Sequence, residues 1–88
     1  MPTADVTKLI EDAIRDRLVL RISYRALDGT ALESLVESLA IRFNHARHRV
    51  LWCWNRDAGH LEQLLWDRIT GAATTGEVFD PRPWSEDG

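Results

Sequence analysis

Eighty-eight residues, 44% of them apolar, suffice for one domain around one modest core; a chain of this length buries only about 60–65% of its unfolded surface. A net charge of −3 and a pI near 5.5 argue against a non-specific duplex binder, whose affinity rests on neutralising phosphates, and the single Cys53 excludes an internal disulfide. No basic-then-apolar leader opens the chain and no apolar run approaches the ~20 residues that span a bilayer, so a soluble cytoplasmic protein without membrane contact is expected.

The first element is a helix. Val6, Leu9, Ile10, Ala13, Ile14 and Leu18 recur at steps of three and four, Thr3 suits the N-cap, and Asp5 falls in the first turn. Glu11 and Arg15 are four apart in the favourable order for an ion pair. From Val19 the period becomes two: Leu20, Ile22 and Tyr24 alternate with Arg21, Ser23 and Arg25, the pattern of a half-buried strand with a cationic outer row. Asp28-Gly29 marks a hairpin turn. The next strand, about Leu32–Phe43, is too long to be flat and predicts a bend or bulge near Ser38–Ala40. After a turn at Asn44–His48 comes a Trp-rich hairpin, Val50–Asn55 and Leu61–Ile69 around a turn at Arg56–His60. Gly71 is expected to break the next strand, Ala72–Phe79 to supply a short fifth, and Asp80-Pro81-Arg82-Pro83 to end regular structure. Trp84 is placed to fold back on the body. The expectation is an α+β domain over residues 1–84, a helix followed by a strongly bent five-stranded antiparallel barrel, with a frayed tail at 85–88.

Charge is unevenly spread. Arg42, Arg47, Arg49 and Arg56 with His45 and His48 form a stretch without acids, which Arg21 and Arg25 of the first strand can join. Such a patch reads either as an anion site, for phosphate or single-stranded nucleic acid with a tryptophan as stacking face, or as a solvated turn pairing with the chain's own acids. Trp52 and Trp54 share one face of their strand, with Leu51 and Cys53 on the other. Apolar character on both faces points to burial on both, one side in the core and the other against the helix or a second subunit, so Trp52, Trp54 and Trp66 are candidate interface residues. The three histidines lack metal-ligand spacing and read as exposed turn residues. Cys53 reads as a buried structural thiol. Glu33 and Glu37 read as an exposed acidic row that discourages edge pairing. No metal, cofactor or catalytic set is expected.

Several strings in order resemble one known family: Leu20-Arg21-Ile22-Ser23-Tyr24-Arg25, the Asp28-Gly29 turn, Val36-Glu37-Ser38-Leu39-Ala40-Ile41 where the family often reads Val-Glu-Pro-Leu-Gly-Leu, and Asp67-Arg68-Ile69. From about Ala4 to Pro83 the chain resembles the WYL domain, an Sm-like or SH3-like barrel module of bacterial regulators. The naming Trp-Tyr-Leu triplet falls on Arg49-Val50-Leu51, and the pattern Arg-x-Phe-Arg-Leu-Asp-Arg-Ile falls on Glu62 to Ile69, replacing both upstream arginines by Glu62 and Leu65. In the family those arginines are thought to meet nucleotide or nucleic-acid ligands. The resemblance therefore implies a non-catalytic, ligand-sensing regulatory module. Its ligand would be small and anionic or nucleotide-like, or single-stranded nucleic acid, held by Arg21, Arg25, Arg47, His48, Arg49 and Arg68. Arg68 is also placed to reach Glu37 or Glu62 as an internal ion pair. The alternative is an interaction or oligomerisation module whose Trp-rich face meets a homodimer partner or a separate regulatory protein.

Overall fold

The computed structural model describes residues 2–85; the tail expected at 85–88 lies outside them except for Ser85. Helix α1 (Ala4–Asp16) precedes strands β1 (Leu18–Arg25), β2 (Ala31–Phe43), β3 (Arg49–Asn55), β4 (His60–Leu65) and β5 (Ile69–Val78), with a 3-10 turn, η1 (Trp66–Arg68), between the last two. All ladders are antiparallel, in the order β4-β3-β2-β1-β5. This is the α+β arrangement anticipated from the periodicities.

Thr3 caps α1 by accepting the Val6 N–H at 3.2 Å, and Arg17 closes it in the left-handed region, φ 58°, donating its N–H to the Ala13 carbonyl. The ion pairs on the exposed face differ from the expected Glu11–Arg15: Asp12 takes both Lys8 and Arg15, and Arg15 also reaches Asp16. The opposite face buries Ile10 and Ala13 completely, against β1, β2 and β5. There they meet Leu20, Ile22, Val36, Leu51, Cys53, Leu64, Trp66 and Ile69, so the helix covers one mouth of the bent sheet.

The bend in β2 lies where length demanded it: its register against β3 slips between Ser38 and Ala40, so β2 carries an extra residue and curves. The β1–β2 turn holds Gly29 at φ +87° while Asp28 accepts the Thr30 N–H. The β3–β4 turn is tied across to β2: Asp57 accepts the Leu35 N–H and the Arg56 N–H reaches the Leu35 carbonyl.

Two expectations at the end of the sheet are corrected. The strand foreseen over Leu61–Ile69 stops at Leu65, because η1 turns the chain from β4 toward β5 on the far edge. Gly71 does not break β5: it pairs with Ser23, and the ladder is irregular instead through register shifts between Leu18 and Leu20 and between Ser23 and Tyr24 of β1.

Cys53 is fully buried in the core, and burial, aided by the Glu62 charge, pushes its thiol up to about 12.

Candidate functional site

The β1–β2 hairpin, β4 and η1 border an open cleft of about 290 Å³, lined among others by Tyr24, Arg25, Leu27, Glu62, Leu65 and Arg68. Two cations belong to it. Arg25 donates to the Gly29 carbonyl at 3.0 Å, and Arg68, whose turn brings it under the hairpin, donates to the Ala26 carbonyl at 3.2 Å. Each guanidinium has five N–H donors, so holding the turn leaves most of them for another acceptor. Glu62, the acid of the cleft, accepts 2.7 Å from Asn55, whose side-chain oxygen also accepts the Ala58 N–H. That pins the carboxylate toward the turn end of its own hairpin. Leu27, 80% exposed at the rim, adds an apolar surface beside the two arginines.

The other arginines lie elsewhere. Arg21 pairs with Glu33 at 3.2 Å in a separate shallow depression. Arg47, at φ 64°, and His48 occupy the exposed β2–β3 turn, where Asn44 accepts the His48 N–H. Arg49 lies 4.5 Å above the ring of Trp66, against the first residue of η1. The structure thus brings Arg25 and Arg68 together in the cleft and leaves Arg21, Arg47, His48 and Arg49 outside its lining.

Asp67 and Arg68 occupy the 3-10 turn rather than alternate strand positions, and Arg68 makes its bond to Ala26 rather than to Glu37 or Glu62. Glu37 is no part of an exposed row. Only 1% exposed, it accepts Arg82 Nε at 2.9 Å on one oxygen, and Arg82 Nη2 at 3.0 Å and Arg56 Nε at 2.9 Å on the other. Burial alone would raise this carboxyl, but the two arginines outweigh it and hold it below the usual carboxylate value. Arg56 also pairs with Glu77 of β5. Sequence reasoning placed Arg56 only in the basic stretch and missed Arg82 altogether; an arginine between two prolines beside a tryptophan was the available signal.

The tryptophans divide by face. Trp66 is 4% exposed within the core. Trp52 is 8% exposed, and the chain's own Trp84 packs on it with ring centres 5.5 Å apart. The half-buried Trp54 lies beneath the Arg82 guanidinium at 4.4 Å. Burial on both faces of β3 is therefore real, but the outer face is covered by the C-terminal segment, whereas the helix packs against β1, β2 and β5.

A family model for the WYL domain matches residues 5–74. The chain belongs to the WYL domain family. Its fold is similar to part of proteasome accessory factor B/C (PafBC) of Arthrobacter aurescens, with a TM-score of 0.77 over 85% of this chain at 20% identity. The match spans only 12% of that larger protein. No curated protein matches the sequence. In this WYL domain, Glu62 and Leu65, which stand where the family motif often carries arginines, both line the cleft described above, as does Arg68 of the retained Asp-Arg-Ile triplet. Among the described residues no group of three or more His, Cys, Asp or Glu is arranged to hold a metal ion, and no helix is long and apolar enough to cross a membrane.

Proposed function

We propose that this WYL domain is a non-catalytic sensing module whose cleft between the β1–β2 hairpin and η1 receives a small anionic, nucleotide-like ligand. The observation that carries this reading is the convergence of Arg25 and Arg68 on one cleft, each fixed by a hairpin carbonyl. Fixed guanidinium groups present paired donors to phosphate oxygens with little further ordering. A single acid, Glu62, faces them and is itself held by Asn55, so the cleft keeps one net positive charge. Exposed Leu27 and the half-buried Tyr24 offer an apolar edge for a base or comparable ring.

Signalling follows from the same contacts. Both arginines hold the β1–β2 turn, so a ligand that competes for their N–H groups changes how that turn is held, and a partner reading the hairpin senses occupancy without any turnover. The resemblance to a segment of PafBC supports a regulatory setting of this kind.

Calorimetric titration of ATP, inorganic phosphate and a short oligothymidylate at low and high salt tests the proposal. Binding that strengthens as salt falls and requires Arg25 and Arg68 is expected. Heats indistinguishable from dilution for all three probes at low salt would refute it.

A further inference from the structure

Beyond Phe79, whose N–H donates to the Arg17 carbonyl at 2.9 Å, residues 80–84 make no backbone–backbone hydrogen bond among the described residues. They are held by side chains. Burial alternates along them, with Pro81 and Pro83 exposed and Arg82 and Trp84 half-buried. The two prolines have no N–H to give to a ladder and keep the chain out of helix, and the alternating burial puts Arg82 and Trp84 on one side.

That spacing matches the strand beneath. Trp52 and Trp54 are also two apart, and the chains meet in antiparallel order, Arg82 over Trp54 and Trp84 over Trp52. Glu37 is the cross-strand partner of Trp54 and grips Arg82 through both carboxylate oxygens. An acid that grips an arginine, two tryptophans on the strand beside it and an extended occupant punctuated by prolines together form a surface selective for both charge and register.

We propose that Glu37, Trp52 and Trp54 form a recognition groove for an extended Arg-Pro-Trp segment, filled within the chain by residues 81–84 and, between chains, by the same segment of a second copy. The occupant is chosen by charge and register. A second copy carries the one segment seen to fit, and side-chain contacts of this kind form equally well from another chain. The tether gives the resident segment a millimolar-scale advantage, so exchange belongs to high local concentration or to conditions that loosen the segment. The groove shares no residue with the arginine cleft, so the two proposals fail independently.

The test uses the full chain. A synthetic peptide of residues 80–88, added at about 5 mM to exceed the tether's effective concentration, is expected to shift the indole N–H resonances of Trp52, Trp54 and Trp84 in the isotopically labelled protein. The double variant R82A/W84A should bind that peptide at least tenfold more tightly than the wild-type chain, and a peptide with alanine at the arginine position should bind at least tenfold more weakly. Sedimentation near 1 mM, on the scale of the tether, should show a dimer that the double variant lacks. Unmoved indole signals in the wild-type chain would overturn the groove, whether or not the variant folds. Peptide binding by a wild-type chain that stays monomeric would overturn the second copy as its occupant.

Discussion

Arg82 and Glu37, forty-five residues apart in sequence, meet through two hydrogen bonds of 2.9 and 3.0 Å, and the same guanidinium lies over Trp54. The carboxylate is almost wholly buried, so its position in the middle of β2 depends on that arginine and on Arg56 from the β3–β4 turn. One buried acid thereby joins the bulged strand, the adjacent hairpin and the C-terminal segment.

Removing the acid exposes that dependence. Glu37→Ala leaves two guanidinium groups without their shared acceptor and is expected to cost about 2–3 kcal/mol, less than a fully buried pair because both arginines keep contact with water. Denaturant unfolding measures it. A loss under 0.5 kcal/mol, the level of an ordinary surface change, would mean that the cluster does not support the fold.

The same cluster sets a pH dependence. The folded Glu37 carboxyl titrates below its ordinary value of 4.5, so between those two values the unfolded chain binds the extra proton and stability rises with pH. Its contribution is complete above the ordinary carboxylate value and is lost as pH falls through the lowered one. Thermal melts from neutral pH downward should therefore stay level for this group and then decline in acid, with a shallower decline in Glu37→Gln. Parallel acid slopes in the two proteins would contradict the assignment.

Ser38 carries the opposite lesson. Its hydroxyl is buried and has no hydrogen-bond partner among the described residues. Ser38→Ala should stabilise the domain by about 1 kcal/mol, a rise in Tm of roughly 4–8 °C. A fall in Tm would show that the hydroxyl is satisfied in solution.

In the cleft, Arg25→Ala and Arg68→Ala should each weaken nucleotide binding about tenfold, or ~1.4 kcal/mol, whereas Arg47→Ala and His48→Ala should leave it within twofold. Calorimetry distinguishes these outcomes. Equal losses from the turn residues would move the site to the β2–β3 turn.

Cys53 should be unreactive in the native protein. Complete burial and a thiol pushed up to about 12 leave almost no accessible thiolate near neutral pH, so iodoacetamide labelling should proceed only as fast as the domain opens. Rapid native-state labelling, independent of denaturant, would disprove the buried placement.

Much of the architecture was written in local pattern. The apolar steps of three and four from Val6 to Ile14, the alternation Leu20–Tyr24, the Asp28-Gly29 turn and the excessive length of the second strand each report a preference of neighbouring backbone, and each appears in the structure, whereas Leu18, which the same steps placed on the helix, opens β1 because Arg17 ends the helix in the left-handed region. Gly71 misled because a glycine weakens a strand locally, whereas pairing with β1 on the sheet edge carried β5 through it. Trp84 folds onto the body as its isolated, apolar position suggested.

The site was not legible in the same way. Amino-acid order by itself determined a helix, five strands, their turns and a stock of arginines, because these follow from side-chain period and turn chemistry over a few residues. Which arginines share a surface was decided only by tertiary structure. The turn at η1 brings Arg68 to the Ala26 carbonyl of the hairpin beside Arg25, and strand order leaves Arg47 and His48 at another turn. Likewise Glu37 became a buried anchor, rather than one of an exposed pair, because a segment four decades of residues away returned across β3. Contacts between distant residues depend on how the sheet curves, and no local periodicity records that curvature.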